Sequence, residues 1–377
     1  MGELLPRSRP AGAPAIAAGL DDAGAVALLV GAVERASPSG GEAALARFLC
    51  EGMRPWAERA VVDEVGNAVG WFGQGPRTVV LLGHIDTAPG WWPVRREGNV
   101  LHGRGSVDAK GSLCAMITAA SRLPAAVRDG LSVQIIGAVE EEVASSKGAR
   151  HALKAYPRPD LVIVGEPSGW DALTLGYKGR LVARFETERP EGHGARDEAT
   201  AAALAARAWH LAQSWASSHN PAGVGPFDAV QASLTAIGSS SDGLRQRAHA
   251  LIGFRLPPGL EPAVAASELR TRLAELTARP GSSLTLSGHE RAHRSDRDGP
   301  AARALRVAIR NQGGRPRHLT KTGTSDMNVV APVWDVPIVA YGPGDSGLDH
   351  APDERLDVTE YLQSVRVLER ALQILAG

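Results

Sequence analysis

Three apolar runs constrain the fold of this 377-residue chain more than any other feature. They are RTVVLLG at 77–83, LSVQIIGAV at 131–139 and DLVIVG at 160–165, and segments with helical spacing lie between them. A continuous apolar run of this length is typical of a strand that helices bury on both faces. The alternation of such strands with helices therefore predicts an α/β layer fold.

The middle of the chain has a different pattern, which indicates a second domain. Between residues 179 and 295 the predicted order is strand, helix, strand, strand, helix, strand, as in the ferredoxin-like unit. A further apolar strand, DVPIVAYGPGD, and a helix follow this region. We therefore predict one domain formed by residues 1–178 and 296–377, with residues 179–295 inserted as a second domain. Residues 1–20, rich in Pro, Gly and Ala, are predicted to be a disordered leader.

The composition excludes several classes of protein. Lys and Arg together number 41, as do Asp and Glu, so the formal net charge of zero argues against a general nucleic-acid binder. No apolar run approaches the roughly 20 residues that cross a bilayer. The two cysteines, Cys50 and Cys114, are too few for a disulfide framework or a thiolate zinc site, which favours a cytoplasmic location.

Charged side chains follow the apolar strands at the points where those strands end. In an open α/β sheet, ligands bind at the carboxyl ends of the strands. These ends, and the start of the helix that joins the first two strands, carry His84, Asp86, Asp108, residues 140–142 (all Glu), Glu166 and His350. Each residue alone is compatible with an ordinary loop or helix cap. Together at one edge they would repel each other unless a cation neutralised them.

The candidate ligands are imidazoles and carboxylates, without a thiolate. Such a set suits Zn²⁺, and Co²⁺ or Mn²⁺ are alternatives. More than four candidate ligands indicates two ions, roughly 3.5–4 Å apart. The sequence therefore predicts a two-metal centre at this edge of the sheet.

Five motifs, in order along the chain, resemble those of the di-zinc amidohydrolases. They are GHIDTAPG, GRGSVDAKGS, EEE…GA, GEPS, and a late DH that precedes APDE. This family includes acetylornithine deacetylase, succinyl-diaminopimelate desuccinylase and carboxypeptidase G-type enzymes, and the resemblance covers nearly the whole chain. It implies a three-layer zinc-peptidase-like catalytic domain and an inserted dimerisation domain. It also implies hydrolysis of a carbon–nitrogen bond by a homodimeric enzyme.

Longer stretches are most similar to the carrier-protein lysine or ornithine hydrolases, which release the amino acid from the carrier LysW. These stretches are VEEEVASSKGAR, GEPSGWDALTLGYKGR, KTGTSDMNVVAPVW and VAYGPGDSGLDH. The resemblance implies an amide hydrolase of lysine or arginine biosynthesis that acts on an acidic carrier protein. An N-acetylornithine or N-acetyl-lysine deacetylase, a dipeptidase and a metal-binding protein without turnover are the alternatives.

The resemblance assigns a role to each residue of the metal centre. Asp108 would bridge both ions, with His84 and Glu166 completing one site, and His350 and Glu142 the other. Asp86 would hold the His84 ring in its metal-binding tautomer through a hydrogen bond. Glu141 would be the general base. A register shifted by one residue, with Glu140 as base and Glu141 as ligand, is an alternative.

The resemblance also implies residues that contact the substrate. His193 would stabilise the oxyanion across the dimer, although Gly194 follows it where the family usually has serine. Arg255 would bind the carboxylate of the product amino acid. Lys321 and Thr324 lie in KTGTSD, which resembles a substrate loop, and its continuation here counts against a succinyl-diaminopimelate substrate. A loop histidine and a surface arginine are the alternatives for His193 and Arg255.

Two clusters of basic residues are the candidate surface for the acidic carrier. The first is GYKGR and the second is RPRHLTK, and together they contain Lys178, Arg180, Arg315, Arg317 and Lys321. A solvated basic face without a partner is the alternative. Lys178 is also predicted to contact the substrate.

Overall fold

The structure of the protein is a computed structural model that describes residues 19–192 and 199–377. The described chain divides into two compact units. The first unit runs to Gly176 and continues in Ser295–Thr320 and Ser325–Gly377, and the second consists of Tyr177–Arg294 and Lys321–Thr324. Residues 1–18 of the predicted leader lie outside the described residues.

The described strands and helices follow the predicted alternation. The strands are β1 (Arg59–Val62), β2 (Ala68–Phe72), β3 (Arg77–His84), β4 (Arg95–Glu97), β5 (Val100–His102), β6 (Leu131–Ala138), β7 (Leu161–Val164), β8 (Ala172–Tyr177), β9 (Gly179–Pro190), β10 (Gln231–Ser241), β11 (Arg245–Leu256), β12 (Ser282–Glu290), β13 (His293–Arg294), β14 (Arg317–Lys321), β15 (Ile338–Ala340) and β16 (Arg355–Asp357). The helices are α1 (Asp22–Val33), α2 (Ala43–Met53), α3 (Lys110–Ser121), α4 (Ala125–Gly130), α5 (Lys147–Ala155), α6 (Ala201–Ser218), α7 (Pro262–Arg272), α8 (Ala274–Thr277), α9 (Pro300–Asn311), α10 (Asp326–Trp334) and α11 (Val358–Ala376).

A mixed sheet forms the centre of the first unit. Its neighbouring strands follow the order β1-β2-β6-β3-β7-β15-β8. The four central strands, β6, β3, β7 and β15, are mutually parallel. Their carboxyl ends therefore lie at the same edge of the sheet. The three apolar runs form β3, β6 and β7, which confirms the predicted α/β fold.

The helix α3 packs closely against β3 and β6 because both strands carry glycine where the helix crosses them. Gly83 and Gly137 are paired across the two strands. A Cβ atom at Gly137 would lie 2.9 Å from Leu113 Cδ2 and 2.8 Å from Ile85 Cγ2. The close approach brings the amino end of α3 to the edge at which β3 and β6 end. Asp108 lies two residues before the first residue of this helix.

The second unit has the predicted order of strands and helices. Its sheet follows the order β10-β11-β9-β12, and all three neighbouring pairs are antiparallel. This is the ferredoxin-like arrangement, and a separate apolar core joins the sheet to α6 and α7. One detail differs from the prediction, because the segment EPAVAASELRTRLAEL forms two helices that are separated at Leu273.

No helix among the described residues combines the length and hydropathy that a membrane crossing requires. Cys50 and Cys114 are both buried and free. Burial raises the pKa of the Cys50 thiol to about 11 and that of Cys114 to about 12. Both cysteines therefore act as small apolar core residues.

Candidate metal centre

The charged residues singled out in the sequence lie at the carboxyl edge of the parallel strands. His84 is the last residue of β3, and residues 140–142 follow β6. Glu166 follows β7, and His350 comes after β15 and a short 3-10 helix, Ser346–Leu348. Four parallel strands and the start of α3 thus supply the candidate ligands. The distances between their atoms show which of them converge.

Asp108 lies at the centre of this group. Its Oδ1 is 3.2 Å from Nε2 of His84, and its Oδ2 is 3.1 Å from Nε2 of His350. The same His350 nitrogen is 3.0 Å from Oε2 of Glu142. One ligand atom each from Asp108, Glu142 and His350 lies within 4.8 Å of the other two. Asp108 therefore contacts both imidazoles through different oxygens.

The ring of His84 is oriented by a backbone contact. His84 is 2 % exposed, and its Nδ1 lies 3.0 Å from the carbonyl oxygen of Asp86. Because Nδ1 donates to this carbonyl, Nε2 is left free to act as a ligand on the Asp108 side. The Asp86 carboxylate, to which the sequence prediction gives this role, also faces Nδ1. The carboxylate lies farther from Nδ1, at 3.5 Å, than the backbone oxygen does.

The Asp86 carboxylate also holds the loop that follows β6. It is fully buried and accepts the backbone N–H groups of Glu141, at 3.0 Å, and of Glu142, at 2.9 Å. Ser39 Oγ donates to it at 2.8 Å. Asp86 therefore fixes the backbone of the two glutamates. The burial of Asp86 opposes its ionisation, but contacts with His84, Ser39 and Glu142 lower its pKa.

The three consecutive glutamates differ in their surroundings. The carboxylate of Glu140 accepts a hydrogen bond from Ser145 Oγ at 2.7 Å and pairs with Lys147 Nζ at 3.3 Å. Glu142 contacts His350, as described above. In the sequence, Glu141 lies between Glu140 and Glu142. Glu140 also has a φ of +57°, a region that non-glycine residues seldom adopt. This geometry supports the register in which Glu142 is the ligand and Glu141 the base.

Burial and neighbouring charges shift the pKa values of Asp108, His350 and Glu141. Burial opposes ionisation of Asp108, but hydrogen bonds from His350 and His84 outweigh it and lower the Asp108 pKa. Hydrogen bonds to Asp108 and Glu142 raise the pKa of His350 to about 10. Burial raises the pKa of Glu141 well above its usual range, and the nearby carboxylate of Glu166 adds to this effect. The site therefore concentrates negative charge.

Asp326 is a carboxylate of this region that the sequence prediction did not include. It is 2 % exposed, and neither of its carboxylate oxygens has a hydrogen-bond partner among the described residues. Burial and the charge of Asp86 raise its pKa to about 7, although His84 opposes the shift. The sequence signal was present, because Asp326 is the last residue of the quoted motif KTGTSD.

The donor set fits a divalent metal. Two imidazole nitrogens and several carboxylate oxygens are the ligand types that Zn²⁺ accepts, and Asp108 presents a different oxygen to each histidine. Asp108 and Glu166 are buried and Glu142 is partly buried, and these carboxylates would repel each other without a cation. The convergence therefore forms a candidate metal-binding site.

Four residues predicted to contact substrate lie in the second unit: Lys178, Arg255, Lys321 and Thr324. Arg255 is half-buried, and its Nη1 donates to Thr324 Oγ1 at 2.8 Å. The ammonium of Lys321 lies 5.8 Å from the centre of the Tyr177 ring. The structure thus brings Arg255 and Thr324 into contact. His193 lies outside the described residues.

Lys178 does not lie on an exposed basic face, and this part of the prediction is wrong. The side chain is fully buried, and its Nζ donates to the carbonyl oxygen of Pro226 at 2.9 Å and to that of Ala229. Burial, with the nearby charge of Arg255, lowers the Lys178 pKa to about 8. Its ammonium therefore bonds to the backbone of the segment that precedes β10.

The other members of the basic clusters are more accessible. Arg315 and Arg317 are exposed, whereas Arg180 and Lys321 are half-buried. Arg317 pairs with Asp171 at 2.6 Å, which offsets part of its charge. Arg315 and Arg317 are thus the exposed arginines of the second cluster.

A family model matches most of the sequence of this chain. Residues 80–374 match peptidase family M20/M25/M40, and the chain belongs to this family. The resemblance inferred from the motifs is confirmed. The chain is accordingly a hydrolase of amide bonds, in a family of metal-dependent enzymes, and the structure contains a candidate metal-binding cluster.

Relatives with assigned names resemble the chain over almost its whole length. It is 54 % identical to a LysW-lysine hydrolase of Deinococcus radiodurans over 350 residues, which cover 92 % of this chain and 95 % of that protein. It is 38 % identical to a putative LysW-lysine/LysW-ornithine hydrolase of Thermococcus kodakarensis, over 92 % of this chain and 90 % of that protein.

Solved structures share the fold. A metallo-carboxypeptidase of the M20 family from Sulfolobus solfataricus has a TM-score of 0.76 at 18 % identity, with 93 % of this chain and 99 % of that chain covered. A tripeptidase from Staphylococcus aureus also has a TM-score of 0.76, at 16 % identity, with coverages of 95 % and 99 %. The predicted zinc-peptidase-like architecture is thereby confirmed.

Proposed function

We propose that this enzyme hydrolyses the amide that links lysine to the amino-group carrier protein LysW, and so releases free lysine in lysine or arginine biosynthesis. The observation that carries the proposal is the 54 % identity to a LysW-lysine hydrolase over 92 % of this chain. Ornithine is the alternative amino acid, because the more distant relatives are named for both. The site geometry supports the same chemistry.

We propose that the centre holds two divalent cations, Zn²⁺ or alternatively Co²⁺ or Mn²⁺. Asp108 would bind both through its two oxygens. His84 and Glu166 would complete one site, and Glu142 and His350 the other. The contacts of Asp108 with both histidines support the bridging role. Two bound cations would lower the pKa of a water molecule and polarise the substrate carbonyl.

Glu141 is the proposed general base. It accepts the proton of the attacking water and passes it to the leaving amine of the amide. Asp86 keeps Glu141 in place, because its carboxylate accepts the Glu141 backbone N–H at 3.0 Å. His193 is the proposed donor to the oxyanion.

The second unit is proposed to bind the released amino acid. A guanidinium matches a carboxylate with two parallel hydrogen bonds, and Arg255 is the proposed partner of the amino acid's carboxylate. Thr324 orients Arg255, to which it is hydrogen-bonded at 2.8 Å. Lys321 is a further proposed contact.

The proposed substrate is tested by parallel assays. The purified enzyme, supplied with Zn²⁺ or Co²⁺, is mixed with LysW-lysine, LysW-ornithine and N-acetylornithine, and the free amino acid is measured. We expect the largest kcat/KM on a carrier conjugate. A larger kcat/KM on N-acetylornithine would reject the proposal in favour of a deacetylase.

The exposed arginines of the second basic cluster are proposed to receive an acidic carrier protein. Charge reversal in the double variant Arg315→Glu, Arg317→Glu should lower kcat/KM for LysW-lysine by at least about tenfold, because electrostatic steering is lost. Cleavage of a small N-acyl-lysine should not change. The charge reversal Lys154→Glu, at an exposed lysine outside both clusters, is the control. Equal losses on the two substrates would contradict the proposed surface.

We also propose that the enzyme is a cytoplasmic homodimer that associates through the second unit. Strand β10 lies at one edge of that sheet, and Ile237 on it is 50 % exposed. An exposed sheet edge is a surface at which another chain can pair. The two free cysteines agree with a reducing compartment. The molecular mass in solution tests the dimer.

A further inference from the structure

The guanidinium of Arg104 contacts two loops around the candidate metal centre. Arg104, which lies between β5 and α3, is 7 % exposed. Its Nη1 donates to Glu354 Oε2 at 3.0 Å, and its Nη2 lies 3.3 Å from the carbonyl oxygen of His350 and 3.5 Å from that of Pro89. The guanidinium also lies 4.9 Å from the centre of the Trp92 ring. Arg104 therefore joins the His350 loop to the loop that follows β3.

Glu354 completes the link on the other side. It is fully buried, and the carboxylate oxygen that does not face Arg104 accepts the backbone N–H of Val107 at 2.9 Å and of Asp108 at 3.1 Å. Its backbone carbonyl accepts the N–H of Gly103 at 3.1 Å. The residue thus holds both ends of the segment from Gly103 to Asp108.

The backbone of His350 needs such restraint. Its φ is +60°, in the left-handed region that a side chain with a Cβ disfavours. The imidazole is half-exposed, so packing alone holds it weakly. The bond from Arg104 to the His350 carbonyl acts directly on this strained residue.

We propose that Arg104 and Glu354 are positioning residues that hold the backbones of His350 and Asp108 so that both side chains converge on the metals. The inference rests on the proposed function, in which Asp108 and His350 are metal ligands. A buried ion pair alone is weak evidence of stabilisation. Here, however, Arg104 also bonds to the backbone of His350, and Glu354 bonds to the backbone of Asp108. These two bonds connect the ion pair to the proposed ligands.

The chain offers a matched control pair in the same unit. The side chains of Glu58 and Arg128 are each 9 % exposed, with 3.6 Å between Oε1 and Nη1. Glu58 likewise accepts a backbone N–H, from Gly73 at 3.0 Å. Arg128 donates to backbone carbonyls of Trp56, Ala120, Ser121 and Leu123, which are not proposed metal ligands. Substitution at this pair therefore measures the effect of losing a buried ion pair alone.

The test compares Glu354→Gln with Glu58→Gln. Glutamine preserves the shape but places an amide N–H₂ against the Arg104 guanidinium or against the backbone N–H groups. Zinc affinity is measured by competition with a chromophoric chelator, and the visible spectrum of the Co²⁺-loaded protein reports the coordination. We expect Glu354→Gln to weaken zinc affinity by about 10–100-fold and to alter the Co²⁺ spectrum. Glu58→Gln should retain both properties.

Arg104→Lys is the second variant, because lysine keeps the charge but cannot bond to Glu354 and to the His350 carbonyl in the same way. We expect the same loss of affinity. Wild-type affinity and spectrum in both variants would overturn the inference while leaving the proposed function intact. Loss of folded protein in both variants, with Glu58→Gln folded, would assign the pair to stability and would also overturn it. Failure of the wild type to bind metal would reject the proposed function itself.

Discussion

Replacement of Glu141 by alanine is expected to lower kcat for LysW-lysine by about 10²–10⁴-fold, the usual contribution of a general base. The metal content should stay at that of the wild type, because Glu141 is not among the proposed ligands. The backbone N–H of residue 141 still bonds to Asp86 in the variant, so the loop keeps its conformation. Steady-state kinetics and elemental analysis of the same preparation measure both quantities.

The control for this prediction is Glu140→Ala. The carboxylate of Glu140 is engaged by Ser145 and Lys147, so we expect its loss to change kcat by less than about tenfold. A larger loss of kcat in Glu140→Ala than in Glu141→Ala would favour the register shifted by one residue. Retained activity in Glu141→Ala would reject Glu141 as the base.

Replacement of Asp108 by alanine is expected to have the largest effect on metal binding. The two oxygens of Asp108 lie 3.2 Å and 3.1 Å from the two candidate histidines, so one substitution removes a ligand from both proposed sites. Bound metal should fall from two ions per chain to less than one. Loss of several kcal/mol of electrostatic stabilisation corresponds to a fall in kcat of at least about 10³-fold.

Asp353→Ala is the matched control for this substitution. Asp353 is an exposed aspartate near His350 in the sequence, and it pairs with Arg355. We expect this variant to keep its metal and its activity. Two ions per chain in Asp108→Ala would exclude the bridging role. Metal removal from the wild type by a chelator, followed by recovery on addition of Zn²⁺, separates metal loss from misfolding.

The sequence predicted the sheet and the convergence of charged residues for one physical reason. Long apolar runs indicate strands buried on both faces, and such strands are parallel, so their carboxyl ends meet at one edge. His84, Glu142 and His350 could therefore be placed together without a structure. Their individual roles came from the family resemblance, which the relatives support.

Other features could not be predicted, because they depend on register and on contacts between distant segments. The bonds from the Asp86 carboxylate to the backbone of the β6 loop require the exact pairing of β3 with β6, in which His84 lies opposite Ala138. The bond between Arg104 and Glu354 joins residues 250 positions apart. Polar neighbours made Lys178 resemble a surface residue, whereas its ammonium bonds to backbone carbonyls in the interior.

We propose that His84, Asp108 and His350 hold a pair of metal ions. Anomalous diffraction at the zinc absorption edge, from crystals of the zinc-loaded enzyme, tests this proposal most directly. We expect two peaks that share Asp108, one also bound by His84 and the other by His350. A single peak away from Asp108, or full occupancy by zinc at other residues, would contradict it.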